Sequence, residues 1–226
     1  MKERRIQPAR QRSLLAVPLV YLVFYTIYFS VLEELVRPRY WISCPLDDLI
    51  PFCELFVVPY LLWFLLVPGM YYWFYRSGDT ASYLHLCRVM LTGLTLCLLI
   101  YTFFPNGQLL RRPIPRDNIF CDLVRLIRGV DTSTNVCPSI HVFVSTAVAM
   151  VAGRAASLRD HPVARRGIQV LVVLICLSAV FLKQHSVVDV ILGAALAFLL
   201  DALALRGWLT VRSHPLLLRK RKSMES

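Results

Sequence analysis

Lys183-Gln184-His185-Ser186-Val187-Val188-Asp189 runs straight into Val190-Ile191-Leu192-Gly193-Ala194-Ala195-Leu196-Ala197-Phe198-Leu199-Leu200, an apolar stretch with no charge before Asp201. Crossing about 30 Å of hydrocarbon at 1.5 Å per helical residue takes roughly 20 mostly apolar residues. The stretch at 187–208 meets that requirement, and Gly193, Ala194, Ala195 and Ala197 supply small side chains for close helix packing. Ionisable groups at the mouth of such a helix are costly, which makes them functional candidates.

Working outward, five more apolar runs cover 14–32, 50–74, 84–104, 139–156 and 167–182. Pro59 and Pro68 are expected to kink the second, with neighbouring helices satisfying the freed carbonyls. Hydrophobic residues make up 57% of the 226-residue chain, above the roughly 45–50% of soluble domains. The expected fold is all-α: one polytopic membrane bundle of six transmembrane helices over residues 1–226, with no room for a sizeable soluble domain. The opening Met1-Lys2-Glu3-Arg4-Arg5 resembles a signal peptide. The apolar run behind it is too long for one and no Ala-x-Ala follows, so it reads as a retained helix.

The formal net charge is +11, and the 25 lysines and arginines cluster at the ends of apolar runs. With no basic and aromatic strip elsewhere, the pattern points to a lipid bilayer as partner and away from nucleic acid. Seventeen of them fall on the side that holds both tails and 8 on the other, so both termini are expected in the cytoplasm of a multi-pass cell-membrane protein. Six of those 8 crowd into two connections, 105–138 and the Lys183 turn, where topology disfavours them. Something else must retain them. Within 105–138, Ile119, Phe120, Leu123, Ile127 and Val130 recur at helical spacing with Asp122, Arg125 and Arg128 between them. That is a short amphipathic helix, lying at the headgroup level or capping the bundle. Asp201 is expected to pair with Arg206. Seven cysteines without a Cys-x-x-Cys pair argue against a zinc ribbon or a dithiol site and read as small apolar residues; Cys121–Cys137 is the one bridge the loops suggest.

Three polar pieces fall on the non-cytoplasmic side: Arg111-Arg112-Pro113, Pro138-Ser139-Ile140-His141 and the stretch from Lys183 to Asp189. His185 and Asp189 are spaced i, i+4, which places them on one helix face. A carboxylate there can accept the Nδ1 proton and leave Nε2 free as base or nucleophile. A His-x-x-x-Asp also suits a metal, but cations nearby favour a bound anion, and guanidinium and ammonium groups are what a phosphate needs.

Order and spacing of these pieces resemble the type-2 phosphatidate phosphatase (lipid phosphate phosphatase) superfamily. Its motifs are Lys, six residues, Arg-Pro; then Pro-Ser-Gly-His; then Ser-Arg, five residues, His, three residues, Asp. Arg112-Pro113, Pro138-Ser139-Ile140-His141, and Ser178-Ala179 with His185 and Asp189 stand in the matching places. Pro105, Ile140 and Ala179 depart from the motif lysine, glycine and arginine. Lys183, with Arg111 or Arg116, is expected to restore part of the lost charge.

The resemblance implies a metal-independent hydrolase of a phosphorylated lipid, such as a phosphatidate, a lysophospholipid phosphate or an isoprenyl diphosphate, needing no cofactor. It implies His185 as nucleophile through a phosphohistidine, Asp189 as its orienting carboxylate and His141 as general acid and base. Arg112, Ser139, Lys183 and Arg111 would hold the phosphate, on the side away from the cytoplasm. The same chemistry with an alcohol in place of water gives a lipid headgroup phosphotransferase of the sphingolipid synthase type. A third reading, from another class, uses His141 and His185 as axial ligands of a haem.

Overall fold

In a computed structural model, residues 8–207 are described, with side chains from Ala16 onward. The described residues are mostly helical (73%). Among the described residues, five helices are long and apolar enough to cross a membrane: α1 (Pro8–Leu35), α3 (Val57–Arg76), α4 (Thr80–Phe103), α7 (Pro162–Phe181) and α8 (Val187–Leu205). Between them lie α2 (Pro45–Leu49), α5 (Ile119–Val130) and α6 (Ile140–Arg154). The bundle is all-α apart from a two-residue parallel pair, β1 (Tyr40–Trp41) with β2 (Asn106–Gly107), which ties the exit of α1 to the exit of α4.

Helix ends follow from local chemistry. Asp79, Asn118 and Ser139 accept backbone N–H bonds from the first turns of α4, α5 and α6, and Ser186 does so for α8. Pro162 opens α7, where its missing N–H costs nothing. Pro59 lies in the first turn of α3 and so does not kink it; Pro68 is inside the helix, which runs unbroken to Arg76. The second apolar run is not one helix from 50, because 50–53 is extended and a 3₁₀ turn (Glu54–Phe56) precedes α3. The end of the last run at Trp208 and the outer parts of both tails lie outside the described residues, whereas Arg10 and Arg12 fall in α1 and Arg206 directly follows α8.

The fourth run forms a helix of 15 residues, about 22 Å at 1.5 Å per residue and short of the hydrocarbon thickness. α6 is the centre of the bundle, packed by α3, α4, α7 and α8, so its own length need not match the lipid. Two glycines permit this packing. A Cβ on Gly93 would stand 1.9 Å from the Phe143 ring, and one on Gly193 would stand 2.6 Å from the Ser139 carbonyl oxygen. The Gly193 contact seats the start of α6 directly on α8.

α5 is amphipathic, with Phe120, Leu123 and Ile127 toward the bundle as expected, but Ile119 and Val130, expected on the same face, do not join it. It buries Cys121, packs Val124 and Ile127 against Val57, Tyr60 and Leu182, and leaves Ile119, Leu126 and Val130 exposed. The crowded arginines of 105–138 are held by local ties. Arg116 pairs with Glu54 at 2.7 Å, and Arg125 with Asp117 and Asp122 at 2.9 and 2.6 Å. Arg128 donates to the Arg112 and Leu182 carbonyls and lies over the Phe52 ring. Two expectations fail here. Asp201 is bonded by His85 and Arg154 rather than Arg206, because α4 and α6 bring those side chains to the same face of α8. Cys121 and Cys137 are both buried and free.

Candidate active site

The turn from α7 to α8 builds the core of the site. Lys183 takes a left-handed conformation (φ 58°) just past the end of α7, and the backbone N–H groups of Gln184 and His185 then both donate to the Ala179 carbonyl at 3.0 and 2.9 Å. Ser186 caps α8, and Asp189 completes a reciprocal box by accepting the Ser186 N–H at 2.8 Å. His185 Nδ1 faces Asp189 Oδ2 at 3.5 Å, longer than a good hydrogen bond, and neither Nδ1 nor Asp189 Oδ1 has another partner.

His141 comes from the first turn of α6. Its ring centroid lies 5.7 Å from that of His185 and 4.6 Å from both Tyr60 and Trp63. The Pro138 carbonyl before it accepts from Tyr101 Oη at 2.6 Å, and the Ser139 N–H donates to the Asp189 carbonyl at 3.1 Å. The second and third polar pieces are thereby bonded to each other. Beside them, the Cys137 thiol is pushed up to about 12 by burial and then by the Asp189 carboxylate, so it stays protonated.

Both histidines line a cavity of about 360 Å³. Its walls are Tyr25 and Phe29 from α1, Tyr60, Trp63 and Phe64 from α3, Leu126 and Val130 from α5, and a polar floor of Asp131, Thr132, Asn135 and Gln184. Phe64, Leu126 and Val130 are exposed on the outside of the bundle. The cavity therefore reaches an apolar surface between α3 and α5.

The expected phosphate ligands divide. Arg112 and Lys183 line a different cavity of about 730 Å³, together with Asp47, Asp48 and Arg128. The structure does not bring these two cations to the histidines. Arg112 is 84% exposed and stands 3.5 Å from Asp48. Lys183 Nζ donates to the Asp47 carbonyl, and burial, with Arg112 nearby, holds its ammonium below the ordinary lysine range. Ser139 is fully buried, with its hydroxyl committed to capping α6. Arg111 is turned inward: it donates to the Asp131 carbonyl at 2.6 Å, the Thr132 carbonyl at 2.8 Å and the Gln184 side-chain oxygen. Among the described residues no group of three or more His, Cys, Asp and Glu side chains has the geometry to hold a metal ion.

Comparison with known proteins finds no matching family model, no matching curated protein and no matching solved structure.

Three side chains that hold this site together carry no motif. Asp47 accepts from the Ser186 hydroxyl at 2.7 Å and the Val187 N–H at 2.8 Å, pinning the start of α8. Asn106 is fully buried and bonds both sides of the loop before Pro138, accepting from Val136 and Cys137 N–H and donating to the Cys137 carbonyl. Gln108 donates to the Lys183 carbonyl at 3.1 Å. A polar loop at the end of an apolar bundle must satisfy its own backbone, and these residues do so.

Proposed function

We propose that this chain is an integral membrane enzyme that cleaves a phosphate ester of a lipid through a phosphohistidine. The observation that carries this reading is one cavity holding two imidazoles, one backed by a buried carboxylate, with an apolar mouth on the outer face of the bundle. A lipid can present its phosphate to such a cavity while its chains remain in the bilayer.

In this mechanism His185 Nε2 attacks phosphorus, a P–N bond forms and the ester P–O bond breaks. Asp189 holds the ring in the tautomer that frees Nε2 and offsets the positive charge it gains. His141 gives its proton to the departing alkoxide. Water then attacks phosphorus, His141 takes its proton back, and the P–N bond breaks to return His185. The order of motifs resembles that of lipid phosphate phosphatases. On this reading α6 is the sixth pass, both termini are cytoplasmic, and the site faces away from the cytoplasm of the cell membrane.

A second reading, transfer to an alcohol instead of water, uses the same two histidines and Asp189. The decisive assay incubates detergent-purified protein with a panel of phosphorylated lipids, with and without an alcohol acceptor, in EDTA. Free phosphate or released headgroup supports hydrolysis, and headgroup exchange only when acceptor is present supports transfer. Full activity in His185→Ala or His141→Ala refutes the mechanism.

A further inference from the structure

The histidine cavity carries polar groups that no hydrogen bond satisfies. Gln184 Nε2 and Asn135 Nδ2 both lack partners, although the two residues are only 1% and 4% exposed and both line the cavity. Trp63 Nε1 and the Tyr25 hydroxyl, on the same walls, lack partners too. Buried donors are nearly always paired, so several left open around one cavity mark the place of an acceptor. The orientation of Gln184 is not arbitrary. An arginine has donors only, so the Gln184 atom facing Arg111 must be the oxygen, and its NH₂ points the other way. Asn135 is held in the left-handed region at φ 54°, with its N–H donating to the Asn106 carbonyl at 2.7 Å.

These donors are all neutral. Among the described residues no lysine or arginine lines the cavity; Arg111 stands behind Gln184. Negative charge is close, since Asp131 is in the wall and accepts from Tyr60 Oη at 2.6 Å, and Glu33 accepts from Thr132 Oγ1 at 2.5 Å. Arg111 stands close to both carboxylates and offsets one of them. A phosphomonoester brings about −1.5 to −2 at neutral pH, whereas a diester brings a single charge. A second negative charge would meet carboxylates here with no free cation.

We propose that the carboxamides of Gln184 and Asn135 cradle the phosphate of a singly charged lipid phosphodiester beside His141 and His185. This rests on the reading that the histidines act on a phosphate ester, and it narrows the substrate class. In the chemical step His185 Nε2 displaces one ester oxygen, which leaves with the proton of His141; the other ester stays on phosphorus for transfer to water or an alcohol.

The test uses the full chain in detergent with two short-chain probes of equal tail length, dihexanoyl phosphatidylglycerol as diester and dihexanoyl phosphatidate as monoester. Binding is followed by intrinsic tryptophan fluorescence and turnover is followed separately. Wild type is expected to bind the diester at least about 10-fold more tightly, and Gln184→Ala and Asn135→Ala each to lose about 10- to 100-fold of that affinity, the worth of a hydrogen bond to a charged group. Gln184→Glu is a near-isosteric control that keeps the Arg111 contact and removes the N–H; it should stay folded and lose diester binding. Equal or tighter binding of the monoester, binding of neither lipid, or a folded Gln184→Glu with wild-type affinity overturns the proposal. His185→Ala keeps the two questions apart. If it binds the diester but wild type turns neither lipid over, the cradle stands and the catalytic reading falls; if turnover needs His185 but not the carboxamides, the reverse holds.

Discussion

Two histidine–aspartate pairs lie near opposite ends of α8 and are built to different rules. Toward the C-terminal end, Asp201 Oδ1 receives His85 Nε2 at 2.8 Å and Arg154 at 2.5 Å. Near the N-terminal end, His185 Nδ1 stops 3.5 Å from Asp189 and several polar atoms around it have no partner. The first pair closes a buried carboxylate between apolar helices. The second leaves open groups that cost about 1–3 kcal/mol each when unpaired. A histidine beside an aspartate is therefore no sign of chemistry by itself; the unmet bonds and the cavity are what separate the two ends.

The sharpest way to break this comparison is to remove each histidine in turn. His185→Ala is expected to lower lipid phosphoester turnover by about 10⁴-fold or more, as loss of a nucleophile does. His141→Ala should cost about 10²- to 10⁴-fold, as loss of a general acid does. His85→Ala should leave turnover per folded molecule within a few-fold. Released product measured against folded protein decides this, and a large loss in His85→Ala would erase the distinction between the two ends.

Next in size are the carboxylates. Asp189→Asn keeps an oxygen for the Ser186 N–H but loses the charge that orients and balances His185, so turnover should fall about 10²- to 10⁴-fold with little change in melting temperature. Asp201→Asn should do the opposite. It leaves Arg154 and His85 with a weaker acceptor and costs about 1–3 kcal/mol of stability, read as a lower thermal midpoint in detergent, while activity per folded molecule is retained. An activity loss in Asp201→Asn without unfolding would mean the two ends are coupled.

Much of the scaffold was legible in the sequence because a bilayer imposes composition along whole helices. Five of the six apolar runs yield helices long enough to cross, and α5 occupies the amphipathic segment. The sixth is shorter than hydropathy suggests, because Ser139 caps α6 and the chain turns extended at Ala155; those are local choices that a window average cannot register. The histidines and Asp189 were readable from i, i+4 spacing and motif order. Their supports were not. Asp47 reaches Ser186 across 139 residues and Asn106 reaches Cys137 across 31, and only the folded topology makes them neighbours. The division of the cations was hidden for a simpler reason: on an extended or tightly turned chain adjacent side chains point apart. Arg111 turns in and Arg112 out; Gln184 turns in and Lys183 out.

The smallest expected effect tests that division. Arg112 is exposed and pairs with an equally exposed Asp48, an arrangement worth about 0–1 kcal/mol. Arg112→Ala should therefore change KM by less than about 5-fold and leave kcat alone. Lys183 gives a pH version of the same experiment. Burial disfavours its charged form, so as pH rises its proton leaves earlier than that of an ordinary lysine. If Lys183 held the phosphate, KM would climb on that alkaline limb; with the neutral carboxamides doing so, KM should stay flat there. A steep climb in wild type that disappears in Lys183→Gln, together with a large Arg112→Ala defect, would mean that substrate spans both cavities and that the turn between them is the floor of one continuous site.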